Sequence, residues 1–460
     1  MPDSPSPAIR RIPVFITISL ALLMMSVDAT IVATALHELQ QGLDTSINWA
    51  GWTITAFAFG FVLMLPVSGK LSERLGRRRV FLASIALFTL ASLLCGLSNS
   101  IAALIVLRAL QAVGGAGITP SATGIVVDYF GDSRDRAVSL FGSIFPIGAM
   151  IGPIFGGLFV TYWNWRGIFF VNVPIGLLIL WMTLRYIPPD PPKTQKTRSG
   201  MDYLGLGYMG LCLLAGMLAT SFLGEKNLPF TSPRILLPAA VALVAGWLFF
   251  RHIHRNSHPF IAPHLIHGPG FGVVNLINML FGGVTIGAVA LIPLYATNRY
   301  GMGVLDSGSL LISQGAAAIL FSLLCTLAIR RTGYRRPLYV GGALIALGMV
   351  LLALPPVPGA PPFAWLAATA FLLGMGTGTV NPASRNAGLQ LAPQAASTLA
   401  ALRTLAIQIG TITFVSVVTM VLSTSSDPGL SQAWIYGTWS VLVLASLPLI
   451  ARVPEHRGAW

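Results

Sequence analysis

Charge is what this chain has least of. Asp, Glu, Lys and Arg make up 9% of its 460 residues, against roughly a quarter in soluble domains. A soluble fold of this length could not cover its surface with so few charges. Cysteine is nearly absent: Cys95, Cys212 and Cys325 each sit in a different apolar block, and none has metal-ligand spacing. They read as small packing residues. Hydrophilic stretches long enough for a soluble catalytic domain are missing as well, and no nucleophile–base pair or metal set stands out. The expectation is a protein that is not an enzyme and uses no metal or other cofactor.

What is abundant is apolar sequence, 55% of the chain, gathered in blocks such as 13–36, 80–97 and 271–295. Each is near the ~20 residues that cross a bilayer as a helix. Lipid cannot satisfy backbone polar groups, so such blocks must be helical. Fourteen spans are expected, at roughly 13–36, 49–69, 80–98, 101–127, 137–160, 165–187, 203–223, a short one at 234–250, then 271–296, 308–329, 338–357, 363–385, 397–422 and 433–451. The first apolar block is too long for a signal peptide's core and contains Asp28, so it reads as a retained helix.

A net charge of +14 would suggest nucleic acid in a soluble protein. Its distribution gives another reading. With a cytoplasmic N-terminus, 22 of the 28 Lys and Arg fall in cytoplasmic segments or at cytoplasmic helix ends. That bias places both termini in the cytoplasm of a bacterial inner membrane, with no nucleic-acid partner. The connection 188–200, rich in proline and cations, reads as an extended linker. The connection 251–269 carries His252, His254, His258, His264 and His267 without carboxylate or cysteine company, and reads as an interfacial loop rather than a metal site.

An internal echo divides the chain. Arg74-Leu75-Gly76-Arg77-Arg78-Arg79 follows the second span, and Arg331-Thr332-Gly333-Tyr334-Arg335-Arg336 follows the tenth. Both read R-x-G-x-R-R, at equivalent places in two six-helix sets. The expected organisation is a bundle at 1–187, a linker with an inserted helix pair and cytoplasmic loop at 188–270, and a second bundle at 271–460. Parallel repeats of this kind build a midplane cavity in many secondary transporters.

The first basic loop in full runs from Gly69 through Glu73, Arg74, Gly76, Arg77 and Arg78. It resembles the loop signature of the major facilitator superfamily, with Glu73 in the place of the usual Asp. Its glycines permit a tight turn and close helix approach. The carboxylate among arginines can act as a cytoplasmic gate lock. The fifth span holds Gly148-x-x-x-Gly152-Pro153-x-x-Gly156-Gly157, similar to the antiporter motif of drug exporters. Spacing by itself indicates a bent, closely packed helix. With the string Asp28-Ala-Thr30-Ile31-Val32 in the first span and Arg108-Ala-Leu-Gln111 in the fourth, the chain resembles the fourteen-helix drug:proton antiporter family. The resemblance implies the all-α major facilitator fold, two six-helix bundles plus two inserted helices, and proton-coupled multidrug export by alternating access.

Asp28 is the one acidic residue clearly inside a span, and Arg108 is the most deeply set cation. Both lie roughly 10–12 Å below the outer boundary, on helices that line the first half of the cavity in the resembled fold. Burial opposes the charged carboxylate and a nearby arginine favours it, so the pair suits proton coupling; a purely structural ion pair is the alternative. Gln111, Asn275, Asn278, Gln314 and Asn381 are the polar candidates for a substrate cavity, and each could instead bond a neighbouring helix. Arg403 lies near the cytoplasmic face and can snorkel to it. The partners expected are a small-molecule substrate, protons and the lipid bilayer. Two other readings are an exporter of a specific metabolite, such as an organic acid or iron chelator, and a non-transporting membrane sensor. The missing output domain argues against the latter.

Overall fold

A computed structural model describes residues 11–45, 47–190, 202–223, 228–229, 231–257, 259 and 261–455. Most of the 188–200 linker and His258 lie outside the described residues. Everything regular among the described residues is helical. The first six long helices are α1 (Arg11–Thr34), α2 (Ile47–Leu75), α3 (Arg77–Leu97), α4 (Ile101–Tyr129), α5 (Arg134–Tyr162) and α6 (Gly167–Tyr186, interrupted at Val171). Then come α7 (Tyr203–Leu223) and α8 (Pro233–Arg255), and the broken α9 (Phe271–Ala290) continued by Ile292–Tyr300. The last five are α10 (Val304–Thr332), α11 (Arg335–Ala353), α12 (Pro362–Leu391), α13 (Ala396–Thr424) and α14 (Pro428–Ser446). Thirteen segments among the described residues are long and apolar enough to cross a bilayer. The 29-residue α5 occupies the place of the remaining expected span.

The chain divides into two compact units, residues 1–196 with 394–401, and residues 197–393 with 402–460. In the first, α4 packs against α2 and α3, α3 against α6, and α1 against α5 and α6. In the second, α12 packs against α10 and α11, and α11 against α14. Adding eight to the helix numbers of the first three of those pairs gives the pairs of the second unit, so the echo seen in the basic loops extends to packing. The pair α7 and α8 falls in the second unit and packs chiefly on itself.

Small residues set the spacing in both units. A Cβ on Gly114 would lie 3.0 Å from the Phe88 Cα, and one on Gly376 3.0 Å from the Ile345 backbone nitrogen. Lipid supplies no hydrophobic drive between helices, so such close backbone contact is what dispersion has to work with.

The ninth span departs from the continuous helix expected at 271–296. Residues Asn278–Val284 form a π-helical stretch, and the helix breaks at Leu291 before Pro293. Pro293 has no N–H to give the preceding turn. Side chains of α14 add bonds around the break: the Tyr436 hydroxyl donates to the Ala288 carbonyl at 3.1 Å, and Gln432 Nε2 to the Leu291 carbonyl at 3.0 Å, each carbonyl also accepting a backbone N–H. A helix break inside a membrane is tolerated where it is packed against protein that offers such bonds.

Candidate functional site: a buried carboxylate network

In the first unit, α1 meets α5 through the glycines of the fifth span. A Cβ on Gly148 would stand 3.1 Å from the Ser26 backbone carbon, and one on Gly152 3.1 Å from the Val27 carbonyl oxygen. Gly156 is buried, whereas Gly157 faces open space. Pro153 lies within α5, its side chain outside the described residues. Ser26 and Thr30 thus face α5. Asp28, 200° round the helix from Ser26 at 100° per residue, faces the other way, toward α4 and α6.

There it is wholly buried, at 0% exposure, beside Arg108 at 1%. Arg108 Nη1 donates to Asp28 Oδ2 at 2.8 Å. The other carboxylate oxygen, Oδ1, accepts from Gln111 Nε2 at 2.9 Å and from Asn172 Nδ2 at 2.8 Å. Ser92 Oγ accepts from both amides, at 3.0 and 2.9 Å, and donates to the Phe169 carbonyl at 3.2 Å. Arg108 also donates from Nη1 to Gln111 Oε1 at 2.5 Å and from Nε to the Thr53 carbonyl at 3.4 Å, and its guanidinium lies 4.3 Å over the Phe57 ring.

Two properties follow from this geometry. The buried charges are paired and their hydrogen-bonding capacity is used, the condition under which such a pair is tolerated away from water. The guanidinium also has neutral holds, the Gln111 oxygen, the Thr53 carbonyl and the Phe57 face, that persist if Asp28 becomes neutral. The carboxylate can therefore change charge without losing every tether on its partner.

The structure thus brings Asp28, Arg108 and Gln111 together and adds Ser92 and Asn172. Sequence reading placed Gln111 among cavity candidates and passed over the other two. Asn172, an amide within the apolar run of the sixth span, was the available signal. The remaining cavity candidates lie elsewhere. Asn275 Nδ2 donates to the Leu265 and Ile266 carbonyls of the short helix Pro263–His267, at 3.1 and 3.0 Å. Asn278 Nδ2 donates to the Val274 carbonyl at 2.9 Å within its own helix. Gln314 is half-buried on α10, and Asn381 Oδ1 accepts from Arg403 Nη2 at 2.6 Å.

The basic-loop motif forms a second cluster at the other end of the first unit, which includes the start of α13. A Cβ on Gly69 would lie 3.1 Å from the Thr398 Cα. Glu73 Oε1 accepts from the Thr398 backbone N–H at 2.9 Å, in the first turn of α13, where a helix favours a carboxylate. Arg74 lies half-buried in the last turn of α2. Arg77 pairs with Asp128 at 2.6 Å and donates to the Gly124 carbonyl. Gly76 has φ +110°, and Asp190 seats its carboxylate against it, accepting from the Arg78 and Arg79 backbone N–H groups at 2.9 and 3.0 Å. The second unit repeats this. Gly333 has φ +70°, and the Glu455 carboxylate accepts from the Tyr334 and Arg335 backbone N–H groups at 2.8 and 3.4 Å. The glycine of each R-x-G-x-R-R string is the seat of a carboxylate arriving from beyond the last helix of its bundle, a role the spacing alone did not disclose.

Among the described residues no group of three or more His, Cys, Asp or Glu could hold a metal. His254 and His267 stack, with 5.1 Å between ring centroids, and His252 pairs with Asp202 at 2.7 Å.

Comparison with known proteins places this architecture. The family model described as Major Facilitator Superfamily matches residues 18–415. The chain is 28% identical to the multidrug transporter protein MdtP of Bacillus subtilis over 79% of its own length and 66% of that protein's. It is 30% identical to the multidrug resistance protein B homolog of Mycobacterium tuberculosis over 81% and 69%. It is 27% identical to the methylenomycin A resistance protein of Streptomyces coelicolor over 95% and 91%. Among solved structures, the human organic anion transporter MFSD10 superposes with a TM-score of 0.68 at 16% identity, covering 96% of this chain and 99% of that one. The proton:xylose symporter XylE superposes with 0.67 at 16% identity, covering 97% and 96%; these two likenesses speak for the fold. By family model, relatives and fold, this multi-pass membrane protein belongs to the Major Facilitator Superfamily, whose members are transporters rather than enzymes.

Proposed function

We propose that the chain is a proton-coupled exporter of small amphipathic molecules, working by alternating access in a bacterial inner membrane with both termini cytoplasmic. The observation that carries the reading is the wholly buried Asp28, ringed by one cation and neutral donors. Ionisable groups at membrane depth are costly and mark ion or substrate pathways. In the proposed cycle, Asp28 takes a proton from the outer side as substrate leaves, and Arg108 stays on Gln111, Thr53 and Phe57. On the inner side, binding of the next substrate returns Asp28 to its charged, Arg108-paired state and releases the proton inward. The multidrug and resistance names of the relatives support a drug-like substrate. In this reading 1–187 and 271–460 are the two moving bundles, and α7 and α8 are an inserted pair between them.

Topology is tested with reporter fusions after Gly200 and after Trp460. Both are expected to report cytoplasm, as the distribution of 28 Lys and Arg demands. A periplasmic signal from either would overturn the orientation.

The loop cluster is proposed as the cytoplasmic gate. Glu73→Gln keeps an acceptor for the Thr398 N–H but loses the charge, a difference of about 1 kcal/mol. Arg77→Ala removes the partner of Asp128. Transport in inverted vesicles is expected to fall about fivefold in Glu73→Gln and further in Arg77→Ala, with membrane insertion and yield unchanged. Normal transport by both variants would leave the motif as a topology signal only.

A further inference from the structure

The two units treat the cations within their spans differently. In the first, Arg108 is answered by Asp28. In the second, Arg403 on α13 donates to a neutral amide, Asn381 Oδ1, at 2.6 Å, while its Nε is buried with no acceptor among the described residues. A guanidinium keeps its charge in a protein, and an amide oxygen does not cancel it.

Nor does Arg403 snorkel. It stands seven residues into α13 (403 − 396), about 10 Å from that helix's start, whereas Asn381 stands ten residues before the end of α12 (391 − 381), about 15 Å in. These two ends are joined by the short turn Pro393–Ala395. The guanidinium therefore reaches toward the middle of the membrane, away from the near surface. Arg385, four residues after Asn381 and so on the same face of α12, is buried at 7% exposure and lies within Coulombic reach of Arg403. A second guanidinium thus lies close to the one that Asn381 holds.

The described carboxylates of this unit lie elsewhere, at helix ends and in loops. Asp202 pairs with His252, Asp306 lies in the first turn of α10, Asp427 caps α14 and Glu455 holds the loop at Gly333.

We propose that Arg403, held by Asn381 and with Arg385 near it, forms a binding site for an anionic group, the carboxylate or phosphate of an amphipathic small molecule. The buried Nε of Arg403, which has no acceptor among the described residues, is suited to such a group through a charge-assisted hydrogen bond. This rests on the exporter reading and narrows its substrate class to molecules that carry an anionic head on an apolar body. The same chemistry is offered by an anionic lipid headgroup, so the test separates the two sources.

The experiment uses the purified full chain in phosphatidylcholine nanodiscs and two dyes, fluorescein as an amphipathic anion and ethidium as a cation. Arg403→Gln and Arg385→Gln are each expected to weaken fluorescein binding roughly tenfold, Arg403→Lys less, with ethidium affinity unchanged. If instead fluorescein affinity is equal in all proteins, but added phosphatidylglycerol raises the melting temperature of wild type and not of Arg403→Gln, the anion site stands and its occupant is lipid. Equal dye affinities with equal phosphatidylglycerol responses, or parallel loss of both dyes, would overturn the site. Dye movement in proteoliposomes is scored separately. If neither dye moves under a proton gradient while the anion-selective binding difference persists, the exporter reading falls and the site does not.

Discussion

Asp28→Asn should abolish proton-driven, uphill export and bring accumulation in proteoliposomes down to that of protein-free vesicles. The substitution is nearly isosteric and removes the one titratable group of the network at α1, α3, α4 and α6. An asparagine oxygen can still accept from Gln111 or Asn172, and the neutral holds on Arg108 remain. What disappears is the alternation between a charged and a neutral state. Binding of a neutral substrate, and its downhill exchange between equal proton concentrations, require no such alternation and should survive. Loss of binding together with loss of uphill transport would point to a collapsed site rather than an uncoupled one.

The second large effect concerns stability. Arg108→Gln leaves the Asp28 carboxylate at 0% exposure with no cation beside it. Breaking a buried pair from one side costs about 3–5 kcal/mol, because the surviving charge is stranded. The expected result is a large fall in the detergent melting temperature and in yield. Neutralising both partners, in Asp28→Asn with Arg108→Gln, should recover much of that stability, since two amides can hydrogen-bond each other and Gln111 without a stranded charge. Transport should not recover with it. A double variant that regains both stability and uphill transport would show the pair to be only a fastener between α1 and α4.

Much of the fold was legible because lipid imposes one rule on every span. A long apolar run must become a helix, so α1 through α14 appear at nearly the places their composition indicates. The ninth span is the exception. Nothing in its periodicity announces that Gln432 and Tyr436, some 140 residues away, will donate to the carbonyls beside the break at Leu291. The site was legible in part for a related reason. Asp28 and Arg108 stand out as charges where charges are expensive. Asn172 and Ser92 do not, because neutral polar residues occur in many spans, and only the packing of α6 against α1 and α3 brings these two to the carboxylate. The loop strings announced a repeat but not its purpose. That Asp190 and Glu455 come back onto Gly76 and Gly333 depends on where the ends of two bundles fall in space. Arg403 was misplaced by its depth alone, since distance along the helix says how far a guanidinium is from water but not which way it points.

The central claim is that Asp28 carries the proton, and substrate-induced proton release tests it most directly. Purified wild-type protein in weakly buffered detergent should release protons when a transported compound is added, and Asp28→Asn, folded and still binding that compound, should release none. Equal release by the two proteins would contradict the account, place the carrier on another carboxylate and leave Asp28 as the structural partner of Arg108.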